Sequence, residues 1–271
     1  MRTRIKICCI ASREEAQMAI GAGADAVGLV ARMPSGPGPI SDEEIADIAA
    51  WVPPPVATFM LTAETTADDI SRHLERTRPT AVQIVSHIDQ TEAAKLAVLQ
   101  SQVRRVQVIH VEDQGALDLI PVYAPYMHAF ILDSGRPGAD TPELGGTGRR
   151  HDWSISRAFV DASPLPVFLA DGLTPDNARQ AVRDVRPFGL DLCTGVRTND
   201  RLDQAKLKAF MTAATTAWEK HARPAFGLQD FSKCREVRLQ SSTPDWRYCF
   251  SGRPFTHVGN RKRCDAGTAK R

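Results

Sequence analysis

Two short apolar runs of the 271-residue chain carry side chains able to move protons. Residues 5–10 include Cys8 and Cys9, and residues 128–134 include Asp133. A thiol and a carboxylate facing one cavity can divide a base role from an acid role. Other polar residues interrupt or close similar runs: Gln83, Asp171-Gly172, and Asp191 followed by Thr194-Gly195. Glycines at such junctions let backbone N–H groups approach an anion closely. Each feature also has a plainer role. A strand cysteine packs as a small hydrophobe, an aspartate at a strand end anchors a loop, and a glycine serves a tight turn.

The elements that must position these residues alternate. Strands are expected at 5–10, 26–30, 56–61, 81–85, 105–111, 128–134, 167–170 and 190–193. Helices are expected at 12–22, from Ser41 onward, at 66–78, 92–100, 113–123 and 153–161, from Thr174-Pro175 onward, and at 203–218. Ser41 with Glu44 three residues on reads as a capping box, and Pro175 suits a first helical turn. Runs such as 56–59 and 130–132 are apolar on both faces, as buried parallel strands are. Eight βα units give an open doubly wound sheet or a closed (β/α)8 barrel. No Gly-x-Gly-x-x-Gly follows the first strand, which disfavours a dinucleotide site. A body of about 218 residues fits a compact barrel, whose active site would gather at the C-terminal ends of the strands.

Composition narrows the class further. No apolar run approaches the roughly 18 residues of a membrane span. The basic start of the chain is interrupted by Lys6 and followed by Glu14 and Glu15, unlike a signal peptide, so a cytoplasmic location is expected. The six cysteines are too sparse for a disulfide scaffold and read as reduced thiols. From Lys220 onward there are 12 basic and 4 acidic residues, leaving 22 and 28 before it. The body is mildly acidic, which argues against nucleic acid as a partner. We expect a barrel domain over residues 1–219 and a basic tail over 220–271, disordered and dispensable for catalysis. In the tail, Cys234, Cys249, Cys264 and His257 lack the tight ligand pairs of a structural zinc site, so no metal is expected.

Beyond these patterns, an ordered set of motifs resembles the phosphoribosylanthranilate isomerase family of tryptophan biosynthesis. It runs from Lys6-Ile7-Cys8 through Gly21-Ala22-Gly23-Ala24-Asp25 to Asp133. Gly145-Gly146-Thr147-Gly148 and Asp152-Trp153-Ser154 follow, then Leu169-Ala170-Asp171-Gly172-Leu173 with Pro175-Asp176-Asn177. Gly189-Leu190-Asp191 and Gly195-Val196 close the set. The resemblance covers residues 4 to about 215 and implies a single (β/α)8 barrel. It further implies a cofactor-free Amadori rearrangement of a phosphoribosyl amine, in a monomer or homodimer. Cys8 would be the base and Asp133 the acid, which asks for a lowered thiol pKa and a raised carboxyl pKa. Substrate and phosphate would be held by Gly172, Asp191, Thr194 and Gly195, with Gly145 and Gly146 in a flap.

Some positions depart from the family pattern. Cys9 stands where Lys-Ile-Cys-Gly has its glycine, and Gly36-Pro37-Gly38 replaces Ser-Pro-Arg, whose arginine suits a substrate carboxylate. Gln83-Ile84-Val85-Ser86 replaces Gln-Leu-His-Gly, Asp171 replaces a glycine, and Cys193-Thr194-Gly195-Val196-Arg197 replaces Ser-Ser-Gly-Val-Glu. Arg32 is a candidate substitute for the missing arginine. Strand alternation would let only one of Cys8 and Cys9 face the barrel interior, so Cys9→Gly should be tolerated. The alternative function is a weak or silent barrel that binds another sugar phosphate or serves as a scaffold. A metal-dependent phosphate barrel is disfavoured because His87 and His110 are not expected at strand ends converging on Asp133.

Overall fold

The structure is a computed structural model that describes residues 2–34, 36–135, 151–170 and 172–216. The chain divides into one unit over residues 1–226 and another over 227–271. The second unit, the expected 219/220 boundary and the basic tail lie outside the described residues.

Eight parallel strands close into a barrel in chain order. They are β1 (Arg4–Ile7), β2 (Ala26–Val30), β3 (Ala57–Thr62), β4 (Ala81–Ile84), β5 (Arg104–His110), β6 (Ala129–Asp133), β7 (Val167–Leu169) and β8 (Gly189–Leu192). Closure comes from β8 pairing with β1, with Lys6 opposite Asp191 and Ile7 opposite Leu192. Around it run α1 (Arg13–Gly21), α2 (Asp42–Trp51), α3 (Ala67–Thr77), α4 (Gln90–Leu99), α5 (Leu119–Tyr123), α6 (Trp153–Ala162), α7 (Ala178–Val185) and α8 (Gln204–Thr216).

Strand side chains alternate between faces, and the strands separate two apolar layers. Ile5, Ile7, Val82, Ile84 and Leu132 pack outward against the helices, whereas Val30, Leu61, Ala81, Val85 and Val108 fill the barrel interior. Ser41 and Glu44 form the expected capping box on α2. Asp25, in the Gly-Ala-Gly-Ala-Asp motif, binds Arg2, Arg4 and the Ile5 amide. It therefore clamps the start of β1 at the face opposite the mouth, where residues serve stability rather than chemistry.

Several boundaries differ from the sequence reading, for local reasons. β1 stops at Ile7 because Cys9 takes a left-handed backbone, with φ at 60°. Thr174-Pro175 opens a turn instead of a helix, since Asn177 bonds both the Thr174 amide and the Gly172 carbonyl, and α7 starts only at Ala178. The expected 113–123 helix is a 3-10 turn, Gln114–Asp118, leading into α5. After β8, a 3-10 turn (Thr194–Val196) precedes a small hairpin of β9 (Arg197–Thr198) and β10 (Arg201–Leu202) that the sequence reading lacked. Asn199 and Asp200 both have positive φ, as such a tight turn demands. Asp203 then caps α8 through the Ala205 and Lys206 amides. The expected end of that helix at Trp218 lies outside the described residues.

Candidate active site

At the C-terminal ends of the strands a cavity opens, as expected of a barrel active site. Cys8, Asp133, Gly172, Asp191 and Thr194 all line it. Gly145 and Gly146 lie outside the described residues. Gly195 does not line the cavity: a Cβ there would stand 1.9 Å from the Leu173 carbonyl oxygen, so its missing side chain lets the β7 and β8 loops touch.

Below Cys8 lies a feature the sequence reading missed. Lys6 and Cys8 are two residues apart and share the inward face, and Lys6 is 0% exposed. Its Nζ donates to both carboxylate oxygens of Asp191, each at 2.8 Å, and stands 5.5 Å from the Phe59 ring centroid. Thus Asp191 reaches the cavity with both oxygens already engaged. Burial would lower the Lys6 pKa, but Asp191 and Cys8 more than offset it, so the ammonium is held charged. Gly28 makes room for the arrangement, since a Cβ there would meet Cys8 Sγ at 2.7 Å and Lys6 Nζ at 2.9 Å.

Cys8 is held below the ordinary thiol range by a hydrogen bond from Cys9 and by the Lys6 charge, against burial and Asp191, which push it up. Cys9 is pushed upward by hydrogen bonds with Cys193 and Cys8 and by burial. Both adjacent thiols line the cavity. The alternation argument fails here because Cys9 lies past the strand in a left-handed conformation. Asp133, across the cavity on β6, accepts a hydrogen bond from the Gly135 amide at 3.1 Å. A thiol held below its ordinary range and a carboxyl group therefore face one mouth, and that pairing suits proton transfer on a bound substrate.

The rim is built from the departures. A Cβ on Gly38 would stand 2.7 Å from Cys9 Cβ, and Gly38 has φ of 77°. Cys9 Sγ also lies 3.6 Å from the Pro37 carbonyl oxygen. Arg197 donates to the Cys9 carbonyl, and to both oxygens of Glu15 at 2.9 and 3.0 Å. Arg32 is exposed and does not line the cavity. His110 is, contrary to the sequence reading, the last residue of β5, opposite Asp133. Its ring bonds the Val85 carbonyl through Nε2 at 2.9 Å. Among the described residues, no group of three or more His, Cys, Asp or Glu is placed to hold a metal ion.

Residues 5–213 match the sequence model of N-(5′-phosphoribosyl)anthranilate (PRA) isomerase. The chain belongs to that family. The PRA isomerase of Halobacterium salinarum is 35% identical over 215 residues, 79% of this chain and 96% of the relative. The solved phosphoribosyl anthranilate isomerase from Thermotoga maritima has a TM-score of 0.68 at 27% identity, covering 79% of this chain and 99% of its own. Another solved PRA isomerase, in complex with reduced 1-(o-carboxyphenylamino)-1-deoxyribulose 5-phosphate, has a TM-score of 0.66 at 25% identity, covering 79% and 99%. Cys9 occupies the space that a side chain on Gly38 would need.

Proposed function

We infer that the chain converts N-(5′-phosphoribosyl)anthranilate to the aminoketose phosphate, the Amadori step of tryptophan biosynthesis. The observation that carries this is a single mouth holding Cys8 and Asp133, in a chain matching the family over residues 5–213. Asp133 gives its proton to the furanose oxygen while the nitrogen lone pair forms the C1′–N double bond and the C1′–O4′ bond breaks. Cys8, as thiolate, then takes the C2′ proton. That electron pair forms the C1′–C2′ double bond, and the C–N pair returns to nitrogen as an enolamine. Loss of the C2′ hydroxyl proton and gain of a proton at C1′ give the ketone. The step is internally balanced, so it calls for no redox cofactor.

The phosphate fits the loops after β7 and β8, where barrels commonly hold one. Gly172, with φ of 60°, and the Thr194 hydroxyl line that side of the mouth. In this reading Asp191 holds Lys6 rather than substrate, and Gly195 spaces the two loops. The enzyme acts in the cytoplasm as a monomer or homodimer, with its substrate as partner and neither nucleic acid nor membrane. The acidic body disfavours nucleic acid as a partner. The test is incubation with N-(5′-phosphoribosyl)anthranilate while its fluorescence is followed. Enzyme-dependent loss of signal is expected, and an inert chain would favour the silent barrel instead.

A further inference from the structure

Gln83 lies on β4 between Val82 and Ile84, which belong to the outer layer, while Ala81 and Val85 belong to the inner one. Alternation therefore turns Gln83 into the barrel. It lines the mouth at 4% exposure, and its Oε1 is buried without a hydrogen-bond partner. Native proteins rarely leave a buried amide oxygen unmatched, so such an atom beside a ligand cavity points to the ligand. The terminal torsion of glutamine is soft, so the oxygen can turn to meet a donor at small cost.

Resting on the isomerase reading above, position in the barrel names that donor. The phosphate sits at β7 and β8, and the sugar between Cys8 on the β1 side and Asp133 on β6. The aromatic amine then extends toward the opposite arc, β2 to β5. There the cavity is lined by Val30, Leu61, Val85, Val108 and Gln83. The four apolar residues suit an aromatic ring, and Gln83 supplies a hydrogen-bond acceptor. We propose that Gln83 is a further catalytic residue, whose Oε1 accepts the N–H joining the ring to C1′. In the starting amine that nitrogen is neutral, but on ring opening it becomes a cationic iminium and a stronger donor. The bond strengthens along the reaction, the condition for raising kcat rather than only lowering KM.

The test crosses two ligands with two proteins, by calorimetry on the full chain. The ligands are reduced 1-(o-carboxyphenylamino)-1-deoxyribulose 5-phosphate and its counterpart with CH2 in place of the N–H. Wild type should bind the N–H ligand about 5–30-fold tighter, and Gln83→Met should bring the ratio near one. With substrate, Gln83→Met should lower kcat about 10–100-fold while KM changes less than about threefold. A wild-type ratio near one, or a ratio retained in Gln83→Met, overturns the proposal. Should Gln83→Met fail to fold, the wild-type ratio alone decides. Wild type that binds neither ligand and turns over no substrate fails the isomerase reading itself. Binding of both ligands without preference sinks only the role of Gln83.

Discussion

The floor and the rim of the mouth obey different rules. On the floor, Lys6 and Asp191 meet because β1 and β8 pair in fixed register, and Asp133 stands at the end of β6. Strand pairing leaves these residues no latitude, and each matches the family motif quoted for it. The rim is made of loops, and there the pattern changes at several positions. Its changes fit one another. Cys9 fills the space that a side chain on Gly38 would need, and Arg197, where the family pattern has a glutamate, closes onto Glu15 and the Cys9 carbonyl. The contrast teaches that the reaction is fixed by the sheet, while the rim varies in matched contacts.

The sharpest break of this comparison is chemical. Cys8→Ser and Asp133→Asn should each lower kcat about 10²–10⁴-fold with the fold intact. Near wild-type kcat in either variant removes that residue from the mechanism and undoes the division between floor and rim. The floor is also a matter of stability. Asp191→Leu leaves the Lys6 ammonium buried without its carboxylate, which should cost about 3–5 kcal/mol in urea unfolding. The double variant Lys6→Met/Asp191→Leu removes both charges and should recover most of that loss. Its activity should stay low, because Cys8 no longer has a cation beside it. A double variant as active as wild type would show that the buried pair has no part in activating the thiol.

How far the sequence reaches follows the same division. Alternating apolar runs announce the eight βα units, because buried parallel strands and amphipathic helices impose different periods. They also place Cys8, Asp133 and Thr194 at strand ends. The Lys6–Asp191 pair was harder to see, since its members lie 185 residues apart and meet only when the barrel closes. One signal was present: Lys6 interrupts an apolar run in phase with Cys8, so a charge had to face inward and find a partner. The Cys9 conformation and the hairpin of β9 and β10 were not legible. Each depends on positive-φ residues that are not glycine, and Cys9 even sits within an apolar run that reads as strand. Arg197 is similar, because its partners come from Glu15 and from the backbone after β1.

At the junction between floor and rim, Gly195→Val should act through packing. Its Cβ would overlap the Leu173 carbonyl, so the loops after β7 and β8 must separate. We expect a loss of about 1–3 kcal/mol in thermal or urea unfolding. Inorganic phosphate should also compete less well against substrate. Unchanged phosphate competition would place the anion away from these loops.

The smallest effects belong to the rim, and they show whether its changes are coupled. Cys9→Gly relieves a left-handed non-glycine residue but gives up a buried thiol, and both terms are about 1 kcal/mol. Stability should therefore move by less than about 1 kcal/mol. Activity should move more visibly with pH. With Cys8 as the proposed base, kcat/KM should rise with pH as the thiol loses its proton. In wild type that rise lies below the ordinary thiol range, first because of the hydrogen bond from Cys9 and then because of Lys6. Removing the Cys9 thiol should shift the rise to higher pH, and an unmoved acid limb would mean that Lys6 alone activates Cys8. Gly38→Ala completes the cycle. In wild type its Cβ meets Cys9 Cβ at 2.7 Å, whereas in the Cys9→Gly background only the backbone penalty of a positive φ remains. The substitution should thus cost about 0.5–1.5 kcal/mol less in that background. Equal costs in both would show that the two departures arose independently, leaving the rim a set of unrelated changes.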